Sequence, residues 1–357
     1  MHLHQGTPAT SLNPALSLYL DTIRILAAGA VVLCHFASQR ISGGLLWRAA
    51  PYGAEAVDVF FVLSGYVIAH AAATREASAR GFTAARLARI YSVALPALLL
   101  TLALDHLGYR LNPAAYVTLP GVTTGHPPAW VQAVAGLGFI NEVWSWNTPI
   151  GSNVPWWSLG YEVPYYVAFG LALFGRGVWR WLAPLLVLLA VGPEVAVLAP
   201  AWLAGVAVLR LHRDGVPRGL AWVCALGSLA AWAVYEALAW RLGRPFLSTP
   251  WLRGETPQDL LIAGLFAVHL LGIGALLRGW VAPSGWGAQA VRFCAGRSFA
   301  LYLFHFPILI FLRALSLRFW PGLSPFLLLP VMLVCVLGLA ELTERRRGAW
   351  RRLFGGA

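Results

Sequence analysis

The sequence predicts an all-α fold, a polytopic transmembrane helical bundle of about ten helices that forms one membrane-embedded domain over residues 1–357. Three observations predict it. Of the 357 residues, 59% are hydrophobic and 11% are charged, whereas a soluble domain is about a quarter charged. Apolar runs close to the ~20 residues that cross a bilayer core recur from residue 15 to residue 343, with no polar block large enough for a separate soluble domain. The third observation is charge placement. The net charge of +12 is carried by arginine alone, with no lysine in the chain, and the arginines cluster between apolar runs as topology determinants do. Nucleic-acid binding is therefore a poor reading of the positive charge.

The runs fall at 15–37, 54–73, 87–107, 157–175, 179–193, 195–211, 217–240, 258–278, 294–315 and 323–343. The N-terminal stretch "MHLHQGTPATSLNP" has no basic segment, and no small-residue cleavage site follows the first run, so that run is read as a retained helix. The fifth and sixth runs, joined at "VGPEVA", are short. The patch "AWVQAVAGLGFI" at 129–140 is too short to span and reads as re-entrant or interfacial. With ten helices, Arg75, Arg80 and Arg86, then Arg176 and Arg180, then Arg210, Arg213 and Arg218, and the tail 344–357 with Arg345, Arg346, Arg347, Arg351 and Arg352 all fall on one side. Short cytoplasmic loops collect arginine, so both termini are expected in the cytoplasm. The three arginines of loop 241–257 are discordant with this arrangement.

Ionisable residues at membrane depth are costly and point to function. The first run, "DTIRILAAGAVVLCHF", carries Asp21, Arg24 and His35. Arg24 and His35 are eleven residues apart, about 1100° of helix, so they share a face about 16 Å apart along the axis. That face offers a guanidinium suited to phosphate at one end and a proton-transfer group at the other. Asp21, at i,i+3 from Arg24, can hold its fork. The competing meaning is an interfacial ion pair and a hydrogen-bonded core histidine. In the second run Asp58 can line a cavity opposite His35, while Ser64 and Gly65 allow close helix contact. Arg86 and Arg89 in "ARLARIY" stand at i,i+3 at the entrance to the third helix, either as anchors or as a phosphate site for which arginine forks are suited.

Glu162 lies one turn inside the fourth run in "NVPWWSLGYEVPYY", where a lone carboxylate needs a partner or a task. Ser298, Tyr302 and His305 align on one face of the ninth run, and Pro307 is expected to kink it. His70, His106, His126 and His269 carry no assigned chemistry. The cysteines Cys34, Cys224, Cys294 and Cys335 lie in apolar runs without CxxC spacing, which suggests packing rather than disulfides or zinc. No metal site is expected, and the HExxH, Walker and GxSxG motifs do not occur.

Together these stretches resemble the acyltransferase family 3 membrane proteins. Arg24, ten residues, then His35, with Asp21 a turn earlier, is similar to that family's first helix. "VDVFFVLSGYVI" resembles its second, "RLARIY" its arginine motif, "PWWSLGYEVPYY" its Trp-Ser-Leu-x-x-Glu element and "SFALYLFHFP" its late Ser-Tyr-x-x-Tyr-Leu-x-His-x-Pro pattern, with Phe299 in place of the first Tyr. The resemblance runs from about residue 17 to 345. It implies an integral membrane O-acyltransferase of the bacterial cytoplasmic (inner) membrane, moving an acyl group, most often acetyl, from cytoplasmic acyl-CoA to a hydroxyl of a glycan or other cell-surface or small-molecule acceptor. Acyl-CoA is then a co-substrate, with no permanently bound cofactor. In this reading His35 is the general base, Glu162 or Asp58 orients it, Arg24, Arg86 and Arg89 hold the phosphates, and Tyr302 or Ser298 faces the oxyanion. The alternative class is a transporter or flippase of a lipid-linked sugar or small solute, which favours inverted repeats that this sequence lacks.

Overall fold

The computed structural model describes residues 12–117, 119, 127–144, 146–243 and 256–355. His126, part of loop 108–156, most of loop 241–257 and the last two residues of the basic tail lie outside them. All ten apolar runs are helical, and the described residues contain no strand. In chain order they are α1 (Pro14–Phe36), α2 (Tyr52–Thr74), α3 (Ala79–Leu111), α4 (Leu159–Phe174), α5 (Trp179–Val191), α6 (Pro193–Asp214), α7 (Arg218–Leu242), α8 (Thr256–Leu276), α9 (Ser298–Phe319) and α10 (Leu328–Leu342). Eight of them are long and apolar enough to cross a membrane, α10 as the core of a helical stretch over Pro325–Leu353; α4, with 16 residues, and α5, with 13, are not among the eight.

Two boundaries differ from the apolar runs for an identifiable reason. Helix α3 begins at Ala79 behind Ser78, whose hydroxyl accepts from the Gly81 amide at 3.1 Å. Its first two turns hold Arg80 and Arg86, so a hydropathy window misses them, and "RLARIY" sits within the helix. The ninth run instead splits. A separate short helix, Trp286–Ala295, ends at Gly296, and α9 starts only at Ser298. The fifth and sixth runs are two helices joined by a single residue, Gly192, at φ +97° with Pro193 opening α6. Pro at the first helical position and a left-handed glycine before it make that corner compatible with sequence.

Helices α2 and α9 form the centre, each 67% buried over its spanning window, against 22% for α7. Helices α2 and α6 approach closely because both present glycine at the crossing. A Cβ on Gly65 would strike the Trp202 carbonyl, and one on Gly205 would strike the Val62 carbonyl. Small residues at such crossings let backbones pack where lipid offers no hydrophobic driving force. Gly205→Val is therefore expected to cost about 1–3 kcal/mol through overpacking and to lower the melting temperature in detergent. Gly264→Ala, with open space at its Cβ, is the control that should be neutral or stabilising.

Polar side chains tie the bundle together. Tyr19 meets His269 at 2.6 Å, and Tyr66 meets His212 at 3.1 Å, while the second nitrogen of each histidine pairs with a backbone carbonyl. Helix α9 runs on through Pro307, which has no amide for the Leu303 carbonyl; Asn153 Nδ2 donates to that carbonyl at 2.9 Å instead.

Candidate active site

Asp21 Oδ1 accepts from Arg24 Nη1 at 3.2 Å. At the far end of the helix His35 Nδ1 lies 2.9 Å from His305 Nε2 on α9, and its ring also packs against Phe306 with centroids 4.6 Å apart. His35 is half-buried and His305 fully buried. Cys34, its chain neighbour, points elsewhere, against Gly53.

A cavity of about 70 Å³ opens between α1, α2, α3, α4 and α9. Arg24 and Arg89 line it together with Ser64, Glu162, Ser298 and Tyr302. Room for on the order of five to seven waters makes it a compartment for a small group. Arg89 lies over the Phe299 ring at 6.0 Å and within electrostatic reach of Glu162, Tyr166, Glu344 and Glu76. Glu344, just after α10, accepts from the Ala300 amide at 3.1 Å in the first turn of α9, where an amide has no intrahelical partner. Arg24 also feels Glu344 and Arg89, so two guanidiniums and their counter-charges gather at one end of the bundle.

Glu162 finds its partners in hydroxyls. Ser64 Oγ donates to its carboxylate at 2.5 Å, the Tyr166 hydroxyl one turn along α4 donates to the same oxygen, and Trp202 Nε1 donates to Ser64 Oγ at 3.1 Å. The structure does not bring Glu162 to His35. The imidazole of His35 is held by His305, and Asp58 is buried on α2 outside the cavity lining. Tyr302 Oη and Ser158 Oγ share a hydrogen bond of 2.8 Å, and Ser298 Oγ donates to the Ala295 carbonyl at 2.9 Å.

Arg86 stands apart from the cavity. Its guanidinium donates to Glu76 at 2.6 Å and lies over the Phe82 ring, with both partners' side chains about one-tenth exposed. Arg86→Ala is expected to cost on the order of 3–5 kcal/mol, because it leaves the Glu76 carboxylate buried without its counter-charge. A thermal-stability measurement on the membrane-extracted protein checks this. Tyr166, Glu344 and Glu76 escaped the sequence reading. Only Tyr166 left a signal there, since it stands at i,i+4 from Glu162. Among the described residues no cluster of His, Cys, Asp and Glu could hold a metal ion.

A bundle with eight helices long and apolar enough to cross a membrane defines an integral membrane protein, and two arginines line its cavity. The chain belongs to the acyltransferase 3 family, whose description reads "acyltransferase domain" and which matches residues 17–343. It carries a membrane acyltransferase domain. It is also similar to "Acyltransferase MdmB" of Streptomyces mycarofaciens, 34% identical over 158 residues, which span 43% of this chain and 38% of that protein. No solved structure matches.

Proposed function

We propose that this protein transfers a short acyl group, acetyl by preference, from cytoplasmic acyl-CoA to a hydroxyl of a glycan or other small acceptor at a bacterial inner membrane. The observation that carries this reading is the cavity lined by Arg24 and Arg89, with the His35–His305 pair at the other end of α1. Arg24 and Arg89 bind the phosphates of the donor at the cationic mouth, while Arg86 is engaged by Glu76 outside it. The pantetheine arm runs along α1, over about 16 Å for eleven residues. Tyr302 lines the cavity one turn before His305 on α9; neither histidine of the pair lines it, and in this reading the acyl end of the donor extends beyond Tyr302 to reach them.

In the transfer step His35 takes the acceptor's hydroxyl proton as the oxygen bonds to the thioester carbonyl carbon. The tetrahedral intermediate then collapses, the carbon–sulfur bond breaks, and the thiolate of coenzyme A takes the proton back from His35. Tyr302 and Ser158 supply hydroxyls near the developing oxyanion. The arginine-rich loops support a cytoplasmic location for both termini.

The test is transfer from radiolabelled acetyl-CoA in membranes containing the protein, with glycan and lipid fractions of the producing cell as acceptors. Labelling of one fraction above control membranes is the expected result and names the acceptor class. Failure to label any fraction, together with failure to bind acetyl-CoA, would sink the reading in favour of a transporter.

A further inference from the structure

We propose that His305 is a positioning residue that fixes the proton on Nδ1 of His35 and so leaves His35 Nε2 as the nitrogen that accepts the acceptor's proton. This rests on the reading of His35 as the base. A neutral imidazole has one N–H and one lone pair, and the partner of one nitrogen decides the state of the other. His305 Nδ1 lies 2.9 Å from the carbonyl oxygens of both Leu301 and Tyr302. A carbonyl only accepts, so His305 Nδ1 carries the hydrogen and its Nε2 carries the lone pair. His305 Nε2 is 2.9 Å from His35 Nδ1, so His35 Nδ1 must be the donor. His35 Nε2 then holds a lone pair, and it has no hydrogen-bond partner among the described residues.

The Val31 carbonyl, one turn back on α1, is the other acceptor that reaches the His35 ring. It stands at i−4, as Leu301 does for His305, and an acceptor there suits the same Nδ1–H. The order of protons thus runs from the backbone of α9, through a fully buried ring, to the reacting nitrogen on α1. The arrangement also suits the reaction. When His35 becomes an imidazolium, its Nδ1–H still points at a neutral lone pair, so no proton on the pair has to move.

The test uses the full chain, labelled with ¹⁵N-histidine and reconstituted in bilayers. Pyrrole-type and pyridine-type nitrogens are read by nuclear magnetic resonance, and His35 is assigned by its loss in His35→Gln. The expected result is Nδ1–H with a bare Nε2 on both rings; a hydrogen on Nε2 of His35 overturns the proposal. A kinetic arm follows acetyl-CoA and the acceptor fraction labelled by the wild type. His305→Leu, which removes the acceptor, is expected to lower kcat by about 10- to 100-fold with KM for acetyl-CoA little changed. His305→Gln places an amide oxygen near the position of Nε2 and is expected to recover most of that loss. Equal losses in the two variants, or a loss seen in KM alone, overturn the positioning role. Because the nitrogen signals do not depend on turnover, a correct tautomer with full activity in His35→Ala would leave the pairing intact and remove only the assignment of His35 as base.

Discussion

His35→Ala is expected to reduce acyl transfer by about 10²- to 10⁴-fold, the contribution typical of a positioned general base. The loss should appear in kcat, and KM for acetyl-CoA should stay close to that of the wild type, because the proposed phosphate site is the cavity lined by Arg24 and Arg89, which does not include His35. A structural effect has to be separated from it. Removing the imidazole strips the buried Nε2 of His305 of its donor, which costs about 1–3 kcal/mol. Rates are therefore compared at equal membrane abundance and below the melting temperature of the variant. His35→Gln, whose amide can still reach His305, should fold better than His35→Ala yet remain as inactive. Wild-type turnover in either variant would remove His35 from the mechanism.

The architecture was legible because membrane helices announce themselves by length and hydropathy. That Asp21, Arg24 and His35 sit on one helix was legible for a related reason, since that apolar run is continuous, and helical periodicity relates the sides they occupy. Pairings between segments are not encoded in that way. His35 and His305 are 270 residues apart, and Ser64 and Glu162 are 98 apart; packing alone decides that these meet. The expectation that a carboxylate orients the imidazole followed from chemistry available in sequence, whereas the geometry gives Glu162 two hydroxyls and gives His35 a second histidine. Arg86 and Arg89 looked equivalent at i,i+3. Their fates diverge because Glu76, in the short link between α2 and α3, takes Arg86 and leaves Arg89 at the cavity.

That divergence sets the second large effect. Arg89→Gln is expected to raise KM for acetyl-CoA by about 10- to 150-fold, equivalent to the 1.5–3 kcal/mol of a hydrogen bond to a charged group, with a much smaller change in kcat. Arg89 is the informative choice over Arg24, which has its own counter-ion in Asp21 at 3.2 Å. Arg89 offsets Glu162 and Glu344 around the cavity, so in the proposed reading its loss both removes a hydrogen-bond donor to phosphate and leaves excess negative charge at the proposed phosphate site. The two effects act in the same direction on an anionic donor. A further comparison isolates the phosphates. The acetyl thioester of pantetheine carries none, so Arg89→Gln should leave its KM nearly unchanged while the KM for acetyl-CoA rises. Equal increases for both donors would mean that Arg89 shapes the cavity and does not bind phosphate.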